Sequence, residues 1–133
     1  MKKIIIISIA LLLTFSLYAQ TQKTVYRYVV KFNSECCGVP DAAPLLTNIT
    51  KFKKKHHIKK LSYYKFSPIG REGEYYMAFQ LKELTEKKQH LFIKEINATV
   101  IKMKDKGSAS TKEHMVIDKQ SLSGRTTITK ATL

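Results

Sequence analysis

The run from Thr24 to Phe52 decides the fold: TVYRYVVKFN (24–33), SECCGVPDAAP (34–44) and LLTNITKF (45–52). Tyr26, Tyr28, Val30 and Phe32 alternate with Val25, Arg27, Val29 and Lys31. A period of two in β-branched and aromatic residues predicts a strand. Its even positions are apolar and predict the core face, while the odd ones mix valines with two cations, as on a sheet face partly open to water. At the far end Leu45, Leu46, Ile49 and Phe52 recur at helical spacing, with Asn48, Lys51 and Lys53 to Lys55 on the other side. Asp41 is placed to cap this helix, and Pro44 falls in the first turn, where its missing N–H does no harm. The lysines fall in the last turn, where cations complement the helix dipole, and the helix is expected to end at His56–His57. Between strand and helix lies a loop that carries both cysteines of the chain, Cys36 and Cys37.

Working outward, Lys60 to Phe66 (KLSYYKF) reads as a strand with broken alternation, at an edge or bulged. Ser67 to Gly73 has the composition of a hairpin loop. Tyr75, Met77, Phe79 and Leu81 then alternate with Glu74, Tyr76, Ala78 and Gln80, a second clear strand. Thr85 is placed to cap a helix from Glu86 to about Asn97, with Leu91, Phe92 and Ile96 on one side, and Thr99 to Lys104 reads as a last strand. The order β-α-β-β-α-β over residues 24–104 resembles the ferredoxin-like plait. That resemblance implies an α+β fold with a four-stranded antiparallel sheet and two helices on one face. Residues 107–133, rich in Ser, Thr and Lys, read as a C-terminal tail, partly disordered or a small hairpin. The folded domain is expected over residues 20–106, with no internal repeat.

At the other end, Lys2 and Lys3, the apolar run Ile4 to Leu13 and the small residue Ala19 before Gln20 have the pattern of a secretory signal peptide over residues 1–19. The apolar run is shorter than the ~20 residues that span a bilayer, so no stable membrane anchor is expected after cleavage. The mature protein is expected to be exported, periplasmic or secreted. Lys and Arg number 24 against 10 Asp and Glu, a net charge of +14; removal of Lys2 and Lys3 leaves +12. Such an excess points to an anionic polymer or a protein as partner, and export weighs against nucleic acid.

Export also implies an oxidising compartment. Adjacent cysteines cannot staple distant parts of a chain. Consecutive Cα atoms lie ~3.8 Å apart, below the usual ~4.4 Å minimum for a disulfide, so a bond within the pair would be strained and easily reduced. A strained disulfide, a link to another molecule and a pair of loop thiols all remain open. The pair precedes a helix N-terminus, a setting that favours thiolate. In this loop position the chain resembles the heavy-metal-associated domains. That family's Met-x-Cys-x-x-Cys run stands here as Asn33-Ser34-Glu35-Cys36-Cys37-Gly38, without the two-residue spacer, and no ligand residue is carried over.

The open sheet face supplies the other candidate site. With Tyr26, Tyr28, Val30 and Phe32 facing the helices, Arg27, Lys31, Tyr76, Lys102 and Lys104 would face outward together and could bind an anion. Cations with a tyrosine on such a sheet resemble the RNA-recognition module, whose aromatic motif is replaced here by Glu74-Tyr75-Tyr76-Met77-Ala78-Phe79. Arg71 and Glu72 in the hairpin loop are further candidates. His56–His57 are adjacent rather than one helical turn apart, and His90 and His114 are isolated, so no metal site is read. No nucleophile elbow, phosphate loop or metalloprotease helix is present, and no cofactor is implied. The leading reading is a non-enzymatic binding or interaction module; the second is a thiol-based metal carrier or redox protein centred on Cys36–Cys37.

Overall fold

A computed structural model describes residues 23–36, 38–104 and 107–133; the expected signal segment and Cys37 lie outside the described residues. The elements are β1 (Lys23–Ser34), α1 (Ala43–Lys55), β2 (Ser62–Ser67), β3 (Tyr75–Phe79), α2 (Glu86–Val100), β4 (Gly107–Asp118), a 3-10 turn (Lys119–Ser121) and β5 (Thr127–Thr132). They form an α+β fold with one five-stranded sheet, in the order β4-β1-β3-β2-β5, in which every neighbouring pair is antiparallel. This corrects the expected four-stranded ferredoxin-like plait. Residues 99–104 form no strand, and the segment expected as a tail or hairpin forms both edges of the sheet.

Thr99 to Lys104 satisfies two periods at once. Read as a strand, Thr99, Ile101 and Met103 share a face; read as a helix, Ile93, Ile96, Val100 and Met103 do. Burial settles the contest, since Val100 is 2% and Met103 7% exposed while Ile101 is 68% exposed. Helix α2 therefore runs on to Val100, and a final turn places Met103 in the core. The strand that follows, β4, pairs with β1 from Ser34↔Gly107 to Lys23↔Asp118. Its first eight residues, GSASTKEH, carry no apolar alternation because an edge strand half open to water does not require one. Backbone pairing with β1 holds it. Gly107 suits this docking, because a Cβ there would collide with the Asn33 carbonyl oxygen.

Helices α1 and α2 cover one sheet face. Leu45, Ile49 and Phe52 from α1 and Phe92, Ile93 and Ile96 from α2 pack on Tyr28, Val30, Phe32, Met77 and Phe79. Phe92 lies at the centre, with ring centroids 5.9 Å from Tyr28, 5.4 Å from Phe52 and 5.5 Å from Phe79. The Tyr28 hydroxyl donates to Asn97 Oδ1 at 2.8 Å, so the ring is buried without orphaning its polar end.

The opposite face departs from expectation. The β1–β4 register runs evenly to Tyr26↔Met115 and resumes at Tyr28↔Glu113; between them stand Arg27 and His114, the latter at φ +49°. Across this kink the faces exchange. Tyr26, expected beside Tyr28 in the helix-covered core, instead joins Val29, Phe66, Ala78 and Ile117 in a second buried cluster on the outer face. The Tyr26 ring lies 5.6 Å from both Tyr64 and Phe66, edge-on to each. Five residues along β1 and two strands across would separate Tyr26 from Phe66 by roughly 19 Å in a flat sheet. The end of the β1–β4 pair is therefore folded over the outer face. Leu122, in the segment joining β4 to β5, packs against the same cluster, and Thr126 Oγ1 donates to the Pro68 carbonyl at 2.7 Å.

Candidate functional site

The five residues expected to share an anion-binding sheet face are separated. Arg27 sits in the kink with its side chain 17% exposed, Nη1 2.5 Å from Glu113 Oε2 and 2.7 Å from His114 Nε2. Its charge is already partnered. Lys31 and Tyr76 do lie side by side on the outer face, with Lys31 Nζ 5.4 Å from the centre of the Tyr76 ring. The neighbouring cross-strand row ends with Lys130 Nζ 5.6 Å from the Tyr64 ring. Lys102 and Lys104 are elsewhere altogether: with α2 extended through Val100, they flank a cleft on the helical side.

The cysteine loop and the hairpin loop meet at one end of the sheet, where the Ser34 hydroxyl donates to the Glu72 carboxylate. The Glu72 amide donates to Glu74 Oε2 at 3.0 Å, and Arg71 is exposed. Cys36 is also exposed. Among the described residues no group of three or more His, Cys, Asp or Glu side chains is arranged to hold a metal ion. No helix among them is long and apolar enough to cross a membrane.

Two other features stand out. The first is a basic pole at the C-terminal end of α1, from the run KFKKKHHIKK (51–60). The helix stops in a Schellman arrangement: Ile58 N–H donates to Lys53 O at 2.9 Å and His57 N–H to Lys54 O at 3.3 Å, with His57 left-handed at φ +52°. The chain turns back on itself there, which sets Lys59 and Lys60 beside the last turn of the helix. Lys88 from α2 closes the pole by donating to His56 O at 3.0 Å. Lys51, Lys54, Lys55, Lys59 and Lys60 are all exposed. Two shallow grooves of 480 and 310 Å³ share His57, Ile58 and Lys59 as a common wall. Of the lysines in the run, Lys55 alone makes an ion pair among the described residues, 2.7 Å from Glu95 Oε1. The Lys55 hydrogen bond holds the Glu95 carboxyl below its usual range. Helix-end lysines complement the dipole of α1, but the density of this run is the sequence signal that marks the pole.

The second feature is a cleft of 710 Å³ at the opposite end of α1. Pro40, Asp41, Pro44 and Asn48 form one wall; Glu95, Ala98, Thr99, Lys102, Met103 and Lys104 form the other. Asp41, expected as the cap of α1, lies one residue before the cap position and accepts the Ala43 N–H at 3.0 Å. Asn48 Nδ2 donates to Thr99 Oγ1 across the cleft. Such a cleft arises only when two distant segments pack, so single-segment periodicity could not show it. No protein-family model, curated protein or solved structure matches the chain.

Proposed function

We propose that this protein is an exported, non-enzymatic binding module that holds an anionic polymer, of the acidic polysaccharide class, at the basic pole around the end of α1. One observation carries the reading: Lys51, Lys54, Lys59 and Lys60 are exposed on neighbouring turns and make no ion pair among the described residues. Charges within a Debye length of one another, about 8 Å at physiological ionic strength, reinforce one another's field, so a cluster attracts a polyanion more strongly than scattered lysines do. The net charge of +14 has the same sign, and the leader-like residues 1–19 support an extracytoplasmic setting.

Retention on an immobilised sulfated polysaccharide tests the proposal. The protein should bind at low salt and elute as salt rises. Replacing Lys54 and Lys59 together by Gln should move elution to clearly lower salt, while Lys31→Gln with Lys130→Gln on the sheet face, which removes the same charge, should move it much less. Absence of retention at low ionic strength, or equal shifts from the two sets, would overturn the assignment.

A further inference from the structure

The cleft at the start of α1 has a different chemistry from the basic pole. Its walls are largely apolar, built from Pro40, Pro44, Ala98 and Met103. Two carboxylates border it: Glu95 is paired with Lys55 Nζ at 2.7 Å, and Asp41 accepts the Ala43 N–H through one of its oxygens. The polar groups facing each other across it, Asn48 and Thr99, are bonded to one another. Three charged groups in its lining are exposed and make no ion pair among the described residues, Lys102, Lys104 and Asp41, and the two lysines leave the cleft net positive. A volume of 710 Å³ falls within the ~300–1,000 Å³ of small-molecule sites. Prolines fix the backbone on one side, which limits the conformational freedom lost when a guest enters.

We propose that this cleft binds a small amphipathic anion, a compact apolar body ending in a carboxylate or sulfonate, with the body between Pro44 and Ala98 and the charged end held by Lys102 and Lys104. The stretch between Pro44 and Ala98 favours an apolar body, because hydrogen-bonding groups placed against those two side chains would go unpaired. The two lysines disfavour a cation and supply charge-assisted hydrogen bonds to an anion.

Titration with the fluorescent probe anilinonaphthalene sulfonate, an aromatic body with one sulfonate, tests this on the folded protein. Emission should rise to a single saturation, and amide shifts on binding should fall in residues 40–48 and 95–104. Lys102→Gln with Lys104→Gln should weaken binding by about tenfold, the scale of one lost charge-assisted contact. Ala98→Trp, an exposed helix position filling the cleft, should abolish it. Lys54→Gln with Lys59→Gln at the other pole should leave it unchanged, and all variants are titrated under conditions where their thermal melts match. Unsaturable binding, shifts mapping to the outer sheet face, or undiminished binding in Ala98→Trp would each overturn the proposal.

Discussion

The two faces of the sheet are closed by different means. On one, α1 and α2 lay down continuous apolar stripes, and Phe92 interlocks with Tyr28, Phe52 and Phe79. On the other no helix lies among the described residues; the kinked end of β1–β4 and the segment around Leu122 fold over Phe66 and Ala78. The first closure is made by two regular elements that each bury a whole face. The second is made by irregular chain held through a few contacts, so it should be the weaker and should open first.

Three measurements would break or sharpen that comparison. The largest effect is expected from Phe92→Ala, which empties the centre of the helix-covered core and should cost about 3–5 kcal/mol in urea unfolding. Leu122→Ala, on the half-buried strap, should cost only about 1–2 kcal/mol. It should also speed hydrogen exchange at β5 and the outer face while leaving α2 protected. Equal costs, or faster exchange at α2, would show that the two closures form one cooperative unit. A third effect appears only in alkali. Tyr75, on the helix side, is pushed up to about 12 from 10.0 by burial, with nearby Asp41 and Tyr63 adding to it. Tyr26, on the outer face, is raised too, by burial first and then by Tyr64. With the folded values above the unfolded one, stability is undiminished below pH 10 and falls as pH rises from there toward 12. Tyrosinate absorbance should therefore lag behind free tyrosine in this window. Tyr75→Phe should remove part of the alkaline loss, and an unchanged profile would count against burial of Tyr75 as its source.

The comparison of faces also separates what was legible from what was not. Strands β1 and β3 and helices α1 and α2 could be read directly, because each carries an apolar set at one period over several turns or pleats. The kink at Arg27 could not, since it depends on His114, far along the chain, taking a left-handed conformation opposite it. It alone moved Tyr26 from one core to the other. Lys102 and Lys104 were placed on the sheet because TVIKMK alternates acceptably as a strand; only burial against the sheet shows that the helical period prevails. The basic pole was present in the run 51–60 but lacked meaning until the turn at His57 brought Lys59 and Lys60 back beside α1.

The amino-acid sequence by itself determined strands β1 and β3, the cores of helices α1 and α2, the positive charge and the adjacency of Cys36 and Cys37, because these depend on neighbours within a few residues. Tertiary structure decided the number of strands, the closure of the outer face and the cleft beneath Lys102 and Lys104. Each of these arises where segments distant in sequence meet: an edge strand such as β4 is held by backbone pairing to β1, and that bonding leaves no periodic mark in its side chains.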